Sequence, residues 1–347
     1  MDFSANCPLP FSASDRVLLG HGSGGRLSHQ LISEIFYPAF ANPLLEQDHD
    51  GCVFPVEKGR LACSTDSFVV NPVFFPGGNI GDLAVNGTVN DLACCGALPK
   101  YLTAGFILEE GLPLADLQKI TLSMQEAALK AGVSIIAGDT KVVERGQCDR
   151  IFINTSGIGF VPDGVEIAPA KAAPGDAVIC SGQIGTHGIT ILSARESLGF
   201  ETALKSDTAP LNHLISRLLA EIPDIHVLRD PTRGGVATTL NEIARSANVG
   251  ITLDEALLPI PEAVKAASEI LGLEPLYIAN EGLVLVILPE NKAVKAVEIM
   301  RRFDEGRDAA VIGRIDSAGK AQVRLKTIYG GHRIISMLAG AQLPRIC

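Results

Sequence analysis

Between Val161 and Asp176 the chain reads VPDGVEIAPAKAAPGD. Proline, glycine and alanine crowd this stretch, and patterned sequence lies on both sides, so a domain boundary is expected here. Upstream, RLACSTDSFVV (60–70), VSIIAGDTK (133–141) and RIFINTSGIGFV (150–161) read as strands with their exit loops. LPLADLQKITLSMQEAALKAG (112–132) reads as an amphipathic helix with Leu117, Ile120, Met124 and Ala128 on one face and Gly132 as its C′ residue. GRLSHQLISEIF (25–36) reads as another, aligning Leu27, Leu31 and Ile35. Downstream, DAVICSGQIGTHGITIL (176–192) opens a new unit in the same style, with helices such as LNHLISRLLAEI (211–222). The expected fold class is α/β (α+β) in two domains, 1–165 and 166–335, followed by a loose tail at 336–347.

A length of 347 residues suits two domains, and 47% hydrophobic with 20% charged residues is a globular composition. The 35 glycines suggest tight turns and ligand-facing loops. A net charge of −10 argues against general nucleic-acid binding and against anionic membranes. The opening MDFSANCPLPFSASD has no basic or apolar leader pattern, and GLVLVILPE is too short to span a bilayer. The expected location is cytoplasmic. None of the eight cysteines forms a C-x-x-C pair, and adjacent Cys94 and Cys95 suit a disulfide poorly. Most are expected to be free and buried. Cys347, the last residue, is expected to be unshielded.

HGSGGR (21–26) stands before a helix. Gly22, Gly24 and Gly25 there would let the backbone approach an anion beside His21, with the helix N-terminus supplying N–H donors. It also reads as a plain helix entry. Carboxylates follow apolar runs: Asp66 after LACST, Asp139 after VSIIAG, and Asp230 after IHVLR. Asp91 lies with Asn90 inside GDLAVNGTVNDLACCG, which otherwise reads as a helix. One such residue is usually a cap or turn. Four at the ends of apolar elements suggest a convergent acidic site. Carboxylates beside an anion cradle would repel phosphate unless a hard cation intervened, so the set points to a magnesium nucleotide. In GDTKVV, Thr140 and Lys141 follow Asp139, and Lys141 could touch phosphate, stabilise developing charge, or be a surface lysine. Arg233 in DPTRGG suits a grip on an oxyanion. Glu281 in YIANEGLVLVILP is expected to begin a strongly apolar strand; it is either a strand-edge charge or a partly buried carboxyl with a raised pKa, suited to proton transfer.

Taken in order, HGSGGR, STDSFVV, NGTVNDLACCGALP, AGDTKVV, RDPTRGGVATTLNEIA, NEGLVLV and the final PRIC resemble the HypE family of hydrogenase maturation factors, across nearly the whole chain. That family belongs with aminoimidazole ribonucleotide (AIR) synthetase in the PurM-like superfamily. The resemblance implies a two-domain PurM-like fold, an N-terminal domain that binds ATP and Mg²⁺ and pairs into a homodimer, and a mobile tail ending in the reactive Cys347. It implies that the carbamoyltransferase HypF loads Cys347, that ATP drives dehydration of the S-carbamoyl group to a thiocyanate, and that the cyano group passes to a HypC–HypD complex. It implies catalytic roles for Cys347, Lys141 and Glu281. His21, Gly22, Gly24, Gly25, Asp66, Asn90, Asp91, Asp139, Thr140, Asp230 and Arg233 would bind cofactor, with Asp66, Asp91, Asp139 and Asp230 as metal ligands. Seven extended residues reach on the order of 23 Å, enough for the sulfur to visit donor, nucleotide and acceptor. The rivals are selenophosphate synthetase, thiamine-monophosphate kinase and a non-catalytic maturation scaffold. The final cysteine argues against the two enzymes, and the lysine–glutamate pair against the scaffold. The N-terminal extension has no assigned role, and no lysine follows its Cys7 as in a selenophosphate synthetase.

Overall fold

The computed structural model describes residues 16–22, 26–45, 59–195, 204–316, 321–338 and 345–347. Helix α1 (Arg26–Leu31) runs through a π-helical stretch, Ile32–Phe36, into α2 (Tyr37–Phe40). There follow β1 (Arg60–Phe68), β2 (Phe74–Phe75), β3 (Gly78–Asn79), α3 (Ile80–Cys94), β4 (Leu98–Glu109), α4 (Leu114–Ala131), β5 (Ser134–Val143) and β6 (Ile151–Val161). Beyond the Pro-rich stretch come β7 (Asp176–Cys180), α5 (Thr186–Ala194), α6 (Asn212–Glu221), β8 (Val227–Arg229), α7 (Gly235–Ala247) and β9 (Gly250–Asp254). The chain closes with α8 (Glu262–Leu271), β10 (Leu285–Pro289), α9 (Ala293–Met300), β11 (Ala310–Asp316), β12 (Gln322–Lys326) and β13 (His332–Ile335).

Two sheets carry the fold. A four-stranded sheet has the order β1-β6-β4-β5, and a seven-stranded one the order β13-β12-β9-β11-β7-β10-β8. In the first, side chains alternate between faces. Thr155 of β6 is buried and donates to the Ala84 carbonyl of α3, so its face packs on the helices. Its neighbour Asn154 faces outward. Apolar side chains cover both faces of the second sheet.

Helix α3 sits between the two units and is buried along almost its whole length. Its caps are built in: the Asn79 side chain accepts from Gly81, and the Asp82 side chain accepts from the Asn79 N–H. A Cβ on Gly87 would meet the Phe68 ring at 2.9 Å, so glycine is what lets α3 lie flat on β1. The polar Asn86, Thr88 and Asn90 are buried in this helix, and each finds a partner. Helix α4 has the apolar face read from the sequence, with Gly132 at φ 70 ending it.

Several expectations are corrected. Glu281 does not begin a strand; it lies in a buried turn before β10 opens at Leu285. Of the six described cysteines only Cys94 and Cys180 are buried, while Cys63 and Cys95 are exposed. Cys347 is half-buried rather than unshielded, because Ile346, only 3% exposed, inserts into the core of the first unit.

Candidate functional site

The predicted site residues fall into two groups. The first surrounds a cavity of about 420 Å³ between the continuous α1–α2 helical segment and the inner side of β5. Leu31, Phe36, Phe40, Phe106 and Ile135 form an apolar floor, and His21, Gly22, Asp139, Thr140 and Lys141 stand around it. Gly22 rests on the edge of β5, where a Cβ would come within 2.8 Å of the Val142 nitrogen. His21 is buried, and its Nδ1 accepts the Leu18 N–H at 2.9 Å. Burial holds its pKa down, so the ring is neutral. Lys141 Nζ donates to Asp139 Oδ1 at 2.8 Å, with both side chains exposed, and this bond holds the Asp139 carboxyl below its ordinary range. Gly24 and Gly25 lie outside the described residues.

The second group gathers where α3, β1 and the loops before β10 and α7 meet. Ser64 Oγ donates to Asp91 Oδ2 at 2.6 Å. Burial raises Asp91, and Asp66 nearby raises it further, against the pull of Ser64, Arg229 and Arg233. Burial pushes Asp230 up to about 7, with Asp91 adding to the effect. Glu281 is 4% exposed and its Oε1 has no partner among the described residues. Its carboxyl is held well above the usual range by burial first, then by Asp207, Asp230, Asp66 and Asp91. Arg233 is exposed on the turn before α7 and makes no ion pair among the described residues. Gly234 at φ 78 and Gly235 at φ 59 allow that turn.

Cys347 enters this second group. Burial pushes its thiol up to about 12, Glu281 adds to the rise, and Arg233 opposes it. The backbone holds it there: Val69 N–H donates to the Cys347 carbonyl at 3.0 Å, and Asn71 N–H to that of Arg345 at 3.2 Å. Arg345 pairs with Asp149 at 2.6 Å and donates Nε–H to the Val69 carbonyl.

One expectation fails within a single chain. Asp139 does not join Asp66, Asp91 and Asp230. Asp66 pairs with Thr155, on the helix-facing side of β1, at one edge of the four-stranded sheet. Asp139 pairs with Gly105, opposite outward-facing Asn154, on the other edge. Strand alternation therefore puts the two carboxylates on opposite faces. No three acidic, histidine or cysteine groups close around a metal among the described residues. Asn90 also departs from its assigned role. Its amide donates to the carbonyls of Ala209 and Glu281 and accepts from Leu211 N–H, so it ties the two units together and has no N–H left for a nucleotide.

The sequence reading missed Asp207, whose Oδ1 accepts the Glu281 N–H at 3.1 Å and whose carboxyl burial pushes up to about 6. Nothing in KSDTAP marks it. It also missed Asn280, which accepts from Gly185 N–H and donates to the Pro231 and Ile278 carbonyls, fastening the Glu281 turn to the Asp230 loop. A polar Asn-Glu pair inside the apolar run 277–289 was the available signal.

Comparison with known proteins agrees with this architecture. Residues 48–161 match the N-terminal domain of AIR synthase related proteins, and residues 173–326 match their C-terminal domain. The chain is 52% identical over 331 residues to the carbamoyl dehydratase HypE of Azotobacter vinelandii, covering 95% of this chain and 97% of the relative. It superposes on a solved structure of the hydrogenase maturation protein HypE in complex with ATP at a TM-score of 0.92, with 50% identity over 95% of this chain and 99% of that one. It also matches a chain of a solved HypE–HypF complex, with a TM-score of 0.78 and 50% identity over 89% of this chain and 99% of that one. With both domain models matched and half of its residues shared over nearly its full length, the chain belongs to the HypE family of AIR synthase related proteins.

Proposed function

We propose that the protein performs the ATP-dependent dehydration of an S-carbamoyl group on Cys347 to a thiocyanate, the source of the cyanide ligand of nickel–iron hydrogenase. The observation that carries this reading is the seat of Cys347, within electrostatic reach of buried Glu281 and exposed Arg233. The ATP-bound and HypF-bound relatives support it. We assign loading of Cys347 to a HypF-type carbamoyltransferase, acceptance of the cyano group to a HypC–HypD complex, and the working compartment to the cytoplasm. Division at 165/166 with a tail from 336 belongs to the same proposal.

The chemistry follows from these residues. A thiocarbamate oxygen is a weak nucleophile. Removal of an N–H proton as that oxygen attacks the γ-phosphate of ATP gives an imidoyl phosphate and ADP. Loss of phosphate and of the second N–H proton leaves C≡N on sulfur. Glu281 is the proton acceptor, because a carboxyl raised by burial and by like charge is a stronger base than an exposed one. Arg233 stabilises the oxygen as it gains charge. The α1–α2 cavity, with its apolar floor and polar rim, suits a nucleoside.

The crowded acidic set fits a hard cation. Asp91 raises Asp230, and Asp66 raises both, so a divalent ion would relieve that repulsion. Asp66, Asp91 and Asp230 do not by themselves close around an ion, so they would hold Mg²⁺ only together with phosphate oxygens, as is usual for this ion, which would neutralise phosphate charge there. Lys141 and Asp139 point from the outer face of the four-stranded sheet, which exposes Leu61 (51%) and Ile107 (43%). We assign that face to a homodimer, in which Lys141 can approach the partner's bound phosphate.

Incubation with a HypF-type transferase, carbamoyl phosphate and ATP tests the reading. The peptide containing Cys347 should gain a carbamoyl group and then lose one water. An adduct that persists with ATP would reject the dehydratase in favour of a scaffold.

A further inference from the structure

His187 is fully buried at the start of α5, and the chemistry above does not use it. Its Nε2 lies 2.9 Å from the Ile346 carbonyl oxygen, and its Nδ1 lies 2.7 Å from Ser206 Oγ. A carbonyl can only accept, so Nε2 carries the proton. Nδ1 is then the acceptor, and Ser206 must donate to it. Ser206 is oriented in turn, because its Oγ accepts the Thr208 N–H at 3.1 Å. The result is one directed chain: Thr208 N–H to Ser206 Oγ–H, to His187 Nδ1, and from Nε2–H to the Ile346 carbonyl. The Phe75 ring meets the imidazole edge-on at 5.7 Å and restrains its plane. Burial holds the ring pKa down to about 4, so the neutral tautomer persists at physiological pH.

The neighbouring carbonyls are held differently. Those of Arg345 and Cys347 accept backbone N–H groups of Asn71 and Val69, and Arg195 adds a side-chain bond to Arg345. Only the Ile346 carbonyl is held by a ring buried in the second unit. That bond fixes the plane of the Ile346–Cys347 peptide, and therefore where Cys347 Cα begins its reach toward Glu281 and Arg233.

We propose that His187 is a positioning residue, which seats the Ile346–Cys347 peptide so that the Cys347 sulfur stands in the carboxylate site. The proposal rests on Cys347 being the reacting group. Its test reads docking alone, so it can fail while the dehydratase reading stands, and the reverse. When the segment leaves, Nε2–H and the carbonyl lose each other, a loss of about tenfold in the docking equilibrium.

The full-length protein is treated with iodoacetamide at pH 8, and modification of the Cys347 peptide is followed by mass spectrometry, with exposed Cys63 as internal reference. Docked Cys347 labels slowly, because burial raises its thiol pKa. His187→Phe keeps a flat ring but removes the donor, and should label about tenfold faster. His187→Gln restores an N–H near the place of Nε2, and should label within about threefold of the original protein. Equal rates for His187→Phe and the original protein overturn the proposal, and so does a Gln variant as fast as the Phe variant. Should the ring variants fail to fold, Ser206→Ala tests the same chain: labelling several-fold faster supports it, and an unchanged rate overturns it.

Discussion

Replacing Asp230 with asparagine should stabilise the protein, and more so at alkaline pH. The carboxyl goes from an ordinary 3.8 in the unfolded chain to about 7 when folded, chiefly through burial and then through Asp91. Between those values the folded protein holds a proton that the unfolded chain releases. Stability from this group is therefore lost as pH rises from about 4 to about 7, and the loss is complete above 7. At about 1.4 kcal/mol per pKa unit the ceiling is about 4 kcal/mol. Sharing with Asp91 and residual solvent access reduce this to about 2 kcal/mol. Asparagine is neutral throughout, keeps an acceptor oxygen and preserves the volume. Guanidinium unfolding of both proteins at pH 5 and pH 8 should show the variant ahead by about 2 kcal/mol at pH 8 and by less than half of that at pH 5. A variant no more stable at pH 8, or one equally favoured at both values, would refute the claim that this carboxylate is strained. The same variant should lose activity, since the strained charge is the proposed cation ligand.

Glu281→Gln should leave loading of Cys347 intact and slow dehydration by about 10²-fold or more, so that the carbamoyl adduct accumulates in the peptide mass spectrum. Lys141→Met should lower kcat by about 10²-fold with a smaller change in KM for ATP if its charge acts in the transition state; a change confined to KM would make it a ground-state phosphate contact. A Cβ on Gly282 would sit 1.7 Å from the Asp207 carbonyl oxygen, so Gly282→Ala should lower the thermal midpoint by several degrees, and an unchanged midpoint would contradict the packing of that turn. Chelation should abolish ADP formation during dehydration, and added Mg²⁺ should restore it.

Short β-branched runs with their exit loops revealed the strands at 60–70, 133–141 and 150–161, and helical spacing revealed the helix at 112–132, whose apolar face packs on the core. Helix α3 shows where such reading weakens. It is buried on nearly all sides, so its apolar residues have no stripe, and its polar Asn86 and Asn90 donate to partners more than a hundred residues away. Carboxylates after apolar runs marked Asp66, Asp91 and Asp230, yet the same pattern swept in Asp139, since nothing local tells which edge or face a strand will take. Residue type was informative at Glu281, where a charge interrupts an apolar run. It was silent at Asp207 and His187, whose roles come from long-range contacts to Glu281 and Ile346. The burial of Cys347 was likewise unreadable, because its socket is assembled from β1, α5 and the turn at Glu281.

The account stands on oxygen leaving the carbamoyl group as phosphate while Cys347 is seated beside Glu281. Loading Cys347 with an ¹⁸O-labelled carbamoyl group, adding ATP and analysing the released phosphate by mass spectrometry tests this directly. The label should appear in inorganic phosphate, one atom for each thiocyanate formed. Label released into water instead, with unlabelled phosphate, would contradict it.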